Sequence, residues 1–352
     1  MVRTLRPKDH DFIKTIEGFY FCVIGYEHPD ERIISYLKYV PWETGKWKDS
    51  ETYLKRVLKH YSASEVLRSF EHFKGNYQHY IFKDMINNIV FTAVPINYIS
   101  NYYRPQEAVY ELMHMDAFDP LQEKAFDFIV YLSKKANIPI EDFGLTGSIL
   151  LDIHNPTFSD IDLTVHGHES AIKVENLVKK EFKNENSLIT RISFQEKQDW
   201  IQRKCTQYKL KKEQVELVYK RKWNFGYFNN VKFSIHPIKK DLEVTEEYGT
   251  QTFENLGFIE VKARIKDHRE SIYLPSKYKI EDIEIIEGEK IENLFEVISF
   301  EGIYSFMAKK NELVEIRGKL EKVISDDETY HRIVIGSFNA KEQDYILPIE
   351  EE

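Results

Sequence analysis

Residues 143–165 read Phe-Gly-Leu-Thr-Gly-Ser-Ile-Leu-Leu-Asp-Ile-His-Asn-Pro-Thr-Phe-Ser-Asp-Ile-Asp-Leu-Thr-Val. The pattern predicts a short strand over 143–146, a tight turn at Gly147-Ser148, and a short helix over 149–153. Asn155-Pro156 breaks that helix, and a second strand is expected over 159–165. A glycine at a strand-to-helix turn lets a phosphate approach the backbone closely. The free N–H groups at the helix start point at it, aided by the helix dipole, and the Ser148 hydroxyl adds a hydrogen bond. Asp160 and Asp162 lie two apart on the second strand, so their carboxylates share one face while Ile161 and Leu163 face the core. Adjacent carboxylates repel unless a cation sits between them. Such hard oxygen ligands suit Mg²⁺, which also accepts phosphate oxygens and waters. A phosphate cradle 12 residues before a paired-aspartate strand describes a metal–nucleotide site and metal-assisted in-line attack on phosphorus.

Gly147-Ser148, eleven residues, then Asp160-Ile161-Asp162 resembles the signature of the nucleotidyltransferase superfamily typified by DNA polymerase beta. That signature is hydrophobic-Gly-Ser, a spacer, then Asp-hydrophobic-Asp. The resemblance covers about residues 120–270. The whole chain more loosely resembles archaeal predicted nucleotidyltransferases of uncharacterised function, which join such a core to an N-terminal extension and a C-terminal β-rich part. The resemblance implies that Gly147 and Ser148 hold the β- and γ-phosphates of a nucleoside triphosphate. It implies that Asp160 and Asp162 ligate the catalytic Mg²⁺ (or Mn²⁺). A hydroxyl acceptor, with RNA the leading candidate, would attack the α-phosphorus and pyrophosphate would leave.

The family supplies a third carboxylate from a later strand. The strand expected over 231–236 presents Lys232, Ser234 and His236 on its polar face, with no acid. Three alternatives stay open. Glu216 substitutes, if its stretch is a strand, or Asp241 or Glu243 reaches in from beyond the strand. His236 takes the base role or ligates the metal. Or the site belongs to a catalytically degenerate nucleotide- or RNA-binding module within an assembly.

Other candidates carry weaker signals. His166 and His168 read as loop histidines rather than a metal pair. Asp152 and His154 flank the loop between the two halves of the motif, where a solvated role is expected. Trp200, Tyr208, Tyr219 and Trp223 interleave with Lys and Arg. They are expected to pack between helices, with base stacking the alternative. His28, Lys38 and Tyr39 stand near apolar strands with no chemistry to assign.

The flanks complete an α+β chain in three parts: an N-terminal α+β domain (1–116), a nucleotidyltransferase-like core of mixed sheet and helices (117–270), and a small C-terminal β-barrel (271–352). Strands are expected over 18–25, 32–40 and 87–93, and helices over 50–60, from Ser62 or Ser64 to Glu71, and 105–115. Asp119-Pro120 opens the clearest helix, over 120–136. Helices are also expected over 169–182 and 195–222. Short strands with glycine turns fill the C-terminal part, at 271–274, 283–286, 294–298, 313–316 and 332–335.

The 352 residues carry 49 Lys+Arg against 58 Asp+Glu, a net charge of −9, with 42% hydrophobic residues, which excludes a mostly disordered chain. Two cysteines, Cys22 and Cys205, exclude a disulfide framework and a four-cysteine zinc site. No apolar leader and no run of about 20 apolar residues occurs, so a cytoplasmic protein without membrane partners is expected. The charge is unevenly divided. Residues 171–222 hold 14 Lys/Arg and 7 Asp/Glu (net +7), a candidate face for RNA. Residues 281–352 hold 8 and 19 (net −11), a poor nucleic-acid clamp.

Overall fold

The computed structural model describes residues 5–58, 65–66, 69–336 and 344–349. The fold is α+β, with three sheets.

The N-terminal sheet has eight strands: β1 (Phe12–Thr15), β2 (Tyr20–Val23), β3 (Arg32–Trp42), β4 (Trp47–Lys48), β5 (Tyr53–Arg56), β6 (Ile81–Asp84), β7 (Ile89–Pro95) and β8 (Ile99–Tyr103). The order β4-β5-β3-β2-β1-β8 forms one path, and β7 joins β3 to β6. The expected helix over 50–60 is instead β5, paired antiparallel with β3 through Tyr39↔Arg56 and Pro41↔Leu54. Tyr53, Leu54, Val57 and Leu58 have helical spacing, but the long β3 offers a ladder and Leu54 buries completely. Gly45 allows the hairpin, since a β-carbon there would strike the Leu54 carbonyl. Ser62 and Ser64 lie outside the described residues, and Phe70–Phe73 is a 3₁₀ turn.

Next come α1 (Pro105–Met113), α2 (Pro120–Ala136), β9 (Phe143–Thr146), α3 (Gly147–Leu150), β10 (Ile161–His166), α4 (His168–Glu181), β11 (Ile189–Thr190), α5 (Phe194–Tyr208), α6 (Lys212–Arg221), β12 (Phe225–Phe228) and β13 (Val231–Ile238). Asp119 caps α2 in a capping box, accepting from the Leu121 and Gln122 N–H groups, with Pro120 in the first turn. The sheet order is β11-β12-β13-β10-β9. Strands β10 and β13 run parallel, and β9 is antiparallel to β10. Helices α2 and α4 pack on this sheet, burying Phe128, Ile129, Val174 and Val178 against Leu163, Val165 and Ile235. Phe128 stacks on Phe228 at 4.5 Å.

The last sheet contains β14 (Gln251–Asp267), β15 (Ser276–Glu287), β16 (Leu294–Ser299), β17 (Leu313–Ser325), β18 (Thr329–Ile335) and β19 (Tyr345–Pro348). Its order β14-β15-β16-β18-β17 returns to β14, so five strands close into a ring, with β19 added on β17. The ring includes β14, which starts ahead of the boundary expected at 271. The stretch expected as a strand over 271–274 begins in a 3₁₀ turn, Arg269–Ile272. The first half of β14 is largely exposed, so it lacks the buried alternation that marks a strand in sequence. Helices α5 and α6 and the link between them bury Ile201, Leu210, Val215 and Val218 in the same core as the ring. The basic segment therefore has an apolar side that faces the ring. Among the described residues, no helix is long and apolar enough to cross a membrane.

Candidate functional site

The three sheets and helix α5 wall a cleft of about 1540 Å³. Ser148, Asp160, Asp162, Ser234 and His236 all line it. Strand β9 runs extended through Thr146, and Gly147 turns the chain at φ +68° into α3. A β-carbon at Gly147 would overlap Oδ2 of Asp162. Only glycine therefore fits both the backbone turn and the space before the carboxylate. Helix α3 is a single turn of four residues, shorter than expected, so it supplies little dipole. What remains for a phosphate is the backbone of the turn and the Ser148 hydroxyl.

Strand β10 begins at Ile161, so Asp160 stands just before it and Asp162 within it. Ile161 and Leu163 are fully buried, which fixes Asp162 on the opposite face. The carboxyl of Asp160 is raised to about 6, first by the charge of Asp162 and then by desolvation. Asp160 is exposed to the cleft, so repulsion between the two aspartates dominates. Lys38 and Arg56, from the N-terminal sheet, oppose this rise.

Strand β13 pairs Ser234 with Asp162 in register, where a neighbouring-strand acid would face the pair. The Ser234 hydroxyl donates to Oδ1 of Asp162 at 2.5 Å. Nε2 of His236 lies 2.7 Å from the same hydroxyl oxygen. That hydroxyl has one proton, and it points at Oδ1 of Asp162. Nε2 therefore carries a proton and donates to Oγ of Ser234. Burial, His10 and Lys38 hold the His236 imidazole well below its ordinary range, so it is neutral. Its ring packs against that of His10, tilted by 31° at 4.0 Å, and His10 Nδ1 lies 2.6 Å from Oδ2 of Asp9. Nε2 of His236 thus faces Ser234. That nitrogen orients Ser234, which orients Asp162.

The alternative acids lie elsewhere. Glu216 is on α6, 3.8 Å from Lys212, in a helix rather than a strand. Asp241 pairs with Arg6 at 2.8 Å and Lys8 at 2.6 Å. Glu243 accepts from the N–H groups of His168 and Lys240. Among the described residues, no group of three His, Cys, Asp or Glu that could hold a metal is present. The strongly repelling pair Asp160 and Asp162 fits one divalent cation completed by phosphate oxygens and waters. A second ion would lack its third carboxylate.

Several of the remaining candidates are held in packing and hydrogen bonds. His166 is buried, with Nε2 3.0 Å from the Thr164 hydroxyl, and burial lowers it to about 3. His154 Nε2 lies 2.6 Å from Asp119, tying the motif loop to the start of α2. Asp152 is exposed and outside the cleft. Trp223 is buried against Phe306 and Tyr219 packs on Trp200, whereas Trp200 and Tyr208 line the cleft. His28 is buried and Nδ1 accepts the Ile34 N–H. Lys38 faces the site, with its ammonium 4.8 Å above the Phe12 ring. Sequence reasoning assigned nothing to Lys38 and missed Arg56, Asp9 and His10. A lysine inside the apolar strand 32–40 was the available signal for Lys38. Arg56 was hidden by the expected helix.

An uncharacterized protein of Methanocaldococcus jannaschii is 28% identical over 345 residues, covering 97% of this chain and 99% of that protein. No family model and no solved structure matches the chain.

Proposed function

We propose that the protein is a metal-dependent nucleotidyltransferase, moving a nucleoside monophosphate from a nucleoside triphosphate to a hydroxyl acceptor, with RNA as the leading acceptor. One observation carries this. Gly147 sits face to face with Asp162, so the Gly-Ser turn and the aspartate pair meet at one point of a large cleft. The nucleotidyltransferase-like core belongs to the same proposal. It is supported by the mixed sheet in which β9, β10 and β13 lie side by side.

Each residue has a definite task. The Gly147-Ser148 turn binds phosphate through backbone N–H groups and the Ser148 hydroxyl. Asp160 and Asp162 would hold Mg²⁺ or Mn²⁺, which supplies charge neutralisation for the triphosphate. Ser234 and His236 fix the orientation of Asp162. Lys38 and Arg56 add positive charge from the N-terminal sheet.

A second reading rests on Ser234 standing where a third acid is expected: a nucleotide-binding module that does not turn over. The two separate by experiment. Each labelled triphosphate is incubated with Mg²⁺ or Mn²⁺ and pooled acceptors. Label transfer that Asp160→Ala/Asp162→Ala abolishes supports the transferase. Metal-dependent nucleotide binding without transfer supports the module.

A further inference from the structure

The ring of strands is strongly acidic overall, yet its charge is segregated. Glu284, Glu287, Glu289, Asp326, Asp327 and Glu328 are exposed and none lines the cleft. Towards the cleft the ring turns Lys277, which pairs with the cleft-lining Glu246, and sets Lys319 and Arg332 against one ring acid, Glu321. Lys319 and Arg332 share that carboxylate, with Arg332 Nη2 at 2.9 Å, leaving an excess of positive charge. Arg332 lies over the Phe253 ring at 3.8 Å.

Helix α5 lines the same cleft with residues of the same two kinds. Lys204 lies 6.0 Å from the Trp200 ring and 5.3 Å from the Tyr208 ring. Its ammonium donates to the neutral Gln207 side chain at 2.9 Å. Desolvation lowers it to about 8, and the nearby Glu301 carboxylate opposes that shift. The cleft also exceeds the roughly 300–1,000 Å³ usual for one small ligand, which leaves room beside a nucleotide.

We infer that the wall formed by Trp200, Lys204, Tyr208, Phe253, Lys319 and Arg332 binds a single-stranded nucleic acid. The phosphates lie on the three cations and the bases stack on the three aromatic rings. This rests on the transferase proposal only in identifying the strand as the acceptor. Segregated charge is what permits it, because a field depends on distribution rather than on the total.

The test uses the full chain with fluorescent oligonucleotides of one sequence: single-stranded RNA, single-stranded DNA and the duplex. Anisotropy is followed across a salt series. A single strand, RNA or DNA, is expected to bind more tightly than the duplex. Three phosphate contacts predict a slope of log K against log salt of about −2. Lys204→Gln should flatten the slope by about 0.7. Photocrosslinking with a thio-substituted base on the unaltered protein should label peptides containing Trp200, Tyr208 or Phe253. The inference is overturned by equal or tighter duplex binding, by no binding at low salt, or by crosslinks confined to other surfaces. Asp160→Asn/Asp162→Asn should retain strand binding. If transfer to a small hydroxyl occurs while no strand binds, this inference fails and the transferase stands. If strands bind while no triphosphate is used, the reverse holds.

Discussion

Gly147 and Asp162 occupy each other's limit of approach: a β-carbon on Gly147 would overlap Oδ2 of Asp162, and Gly147 is at φ +68°. Gly147→Ala therefore meets both backbone strain and a displaced carboxylate. It is expected to cost on the order of 1–2 kcal/mol in stability and to remove metal-dependent nucleotide binding. Gly257→Ala is the control, since it has φ +99° with open space around it. It should show the strain alone, with binding intact. Thermal unfolding and nucleotide titration check both.

Ser234 links Asp162 to His236. Ser234→Ala removes the hydrogen bond at 2.5 Å and should lower Mn²⁺ affinity about tenfold, the usual range for a residue that orients a ligand. His236→Gln keeps an N–H donor and should largely preserve both affinity and the pH profile of transfer. His236→Leu should behave like Ser234→Ala. Loss of all transfer in His236→Gln would instead make the imidazole the base.

Lys38 comes from a strand outside the sheet that carries the aspartates. Lys38→Gln should weaken triphosphate binding about tenfold, roughly 1.4 kcal/mol, while leaving the unphosphorylated nucleoside unaffected. Equal losses for both ligands would place the lysine against the base or sugar.

Much of this site was legible before the fold. The stretch 143–165 combines two short apolar runs with a glycine turn, and burial of Ile161 and Leu163 makes its alternation real. Val231–Ile238 alternates for the same reason and falls beside β10. What failed to show depends on distant partners. Leu54 reads as helical until β3 offers it a ladder. The exposed half of β14 has no apolar face, because the ring closes there through backbone pairing with β17. The approach of Lys38 and Arg56 to Asp160 follows from how separate sheets pack, which no local spacing encodes.

Asp11 gives a pH prediction independent of the site. It is buried, accepts from the Tyr102 hydroxyl at 2.5 Å, and desolvation raises it to about 7. Between about 4 and 7 the folded chain holds a proton there that the unfolded chain has released. Stability from this group is thus present at low pH and lost as pH rises through 7. Asp11→Asn keeps the shape without the titration. It should gain relative to the unaltered protein as pH rises, by up to about 4 kcal/mol at pH 8. Chemical unfolding at several pH values measures the difference, and a difference independent of pH would contradict it.

Nucleotidyl transfer is proposed to depend on Asp160 and Asp162. Its most direct measurement is transfer of α-labelled nucleoside triphosphate to pooled hydroxyl acceptors with Mg²⁺ or Mn²⁺, run beside Asp160→Ala/Asp162→Ala. Labelled acceptor and released pyrophosphate are expected with the unaltered protein, and neither with the double variant. Transfer that survives in the double variant, or the absence of both transfer and nucleotide binding in the folded unaltered protein, would contradict it.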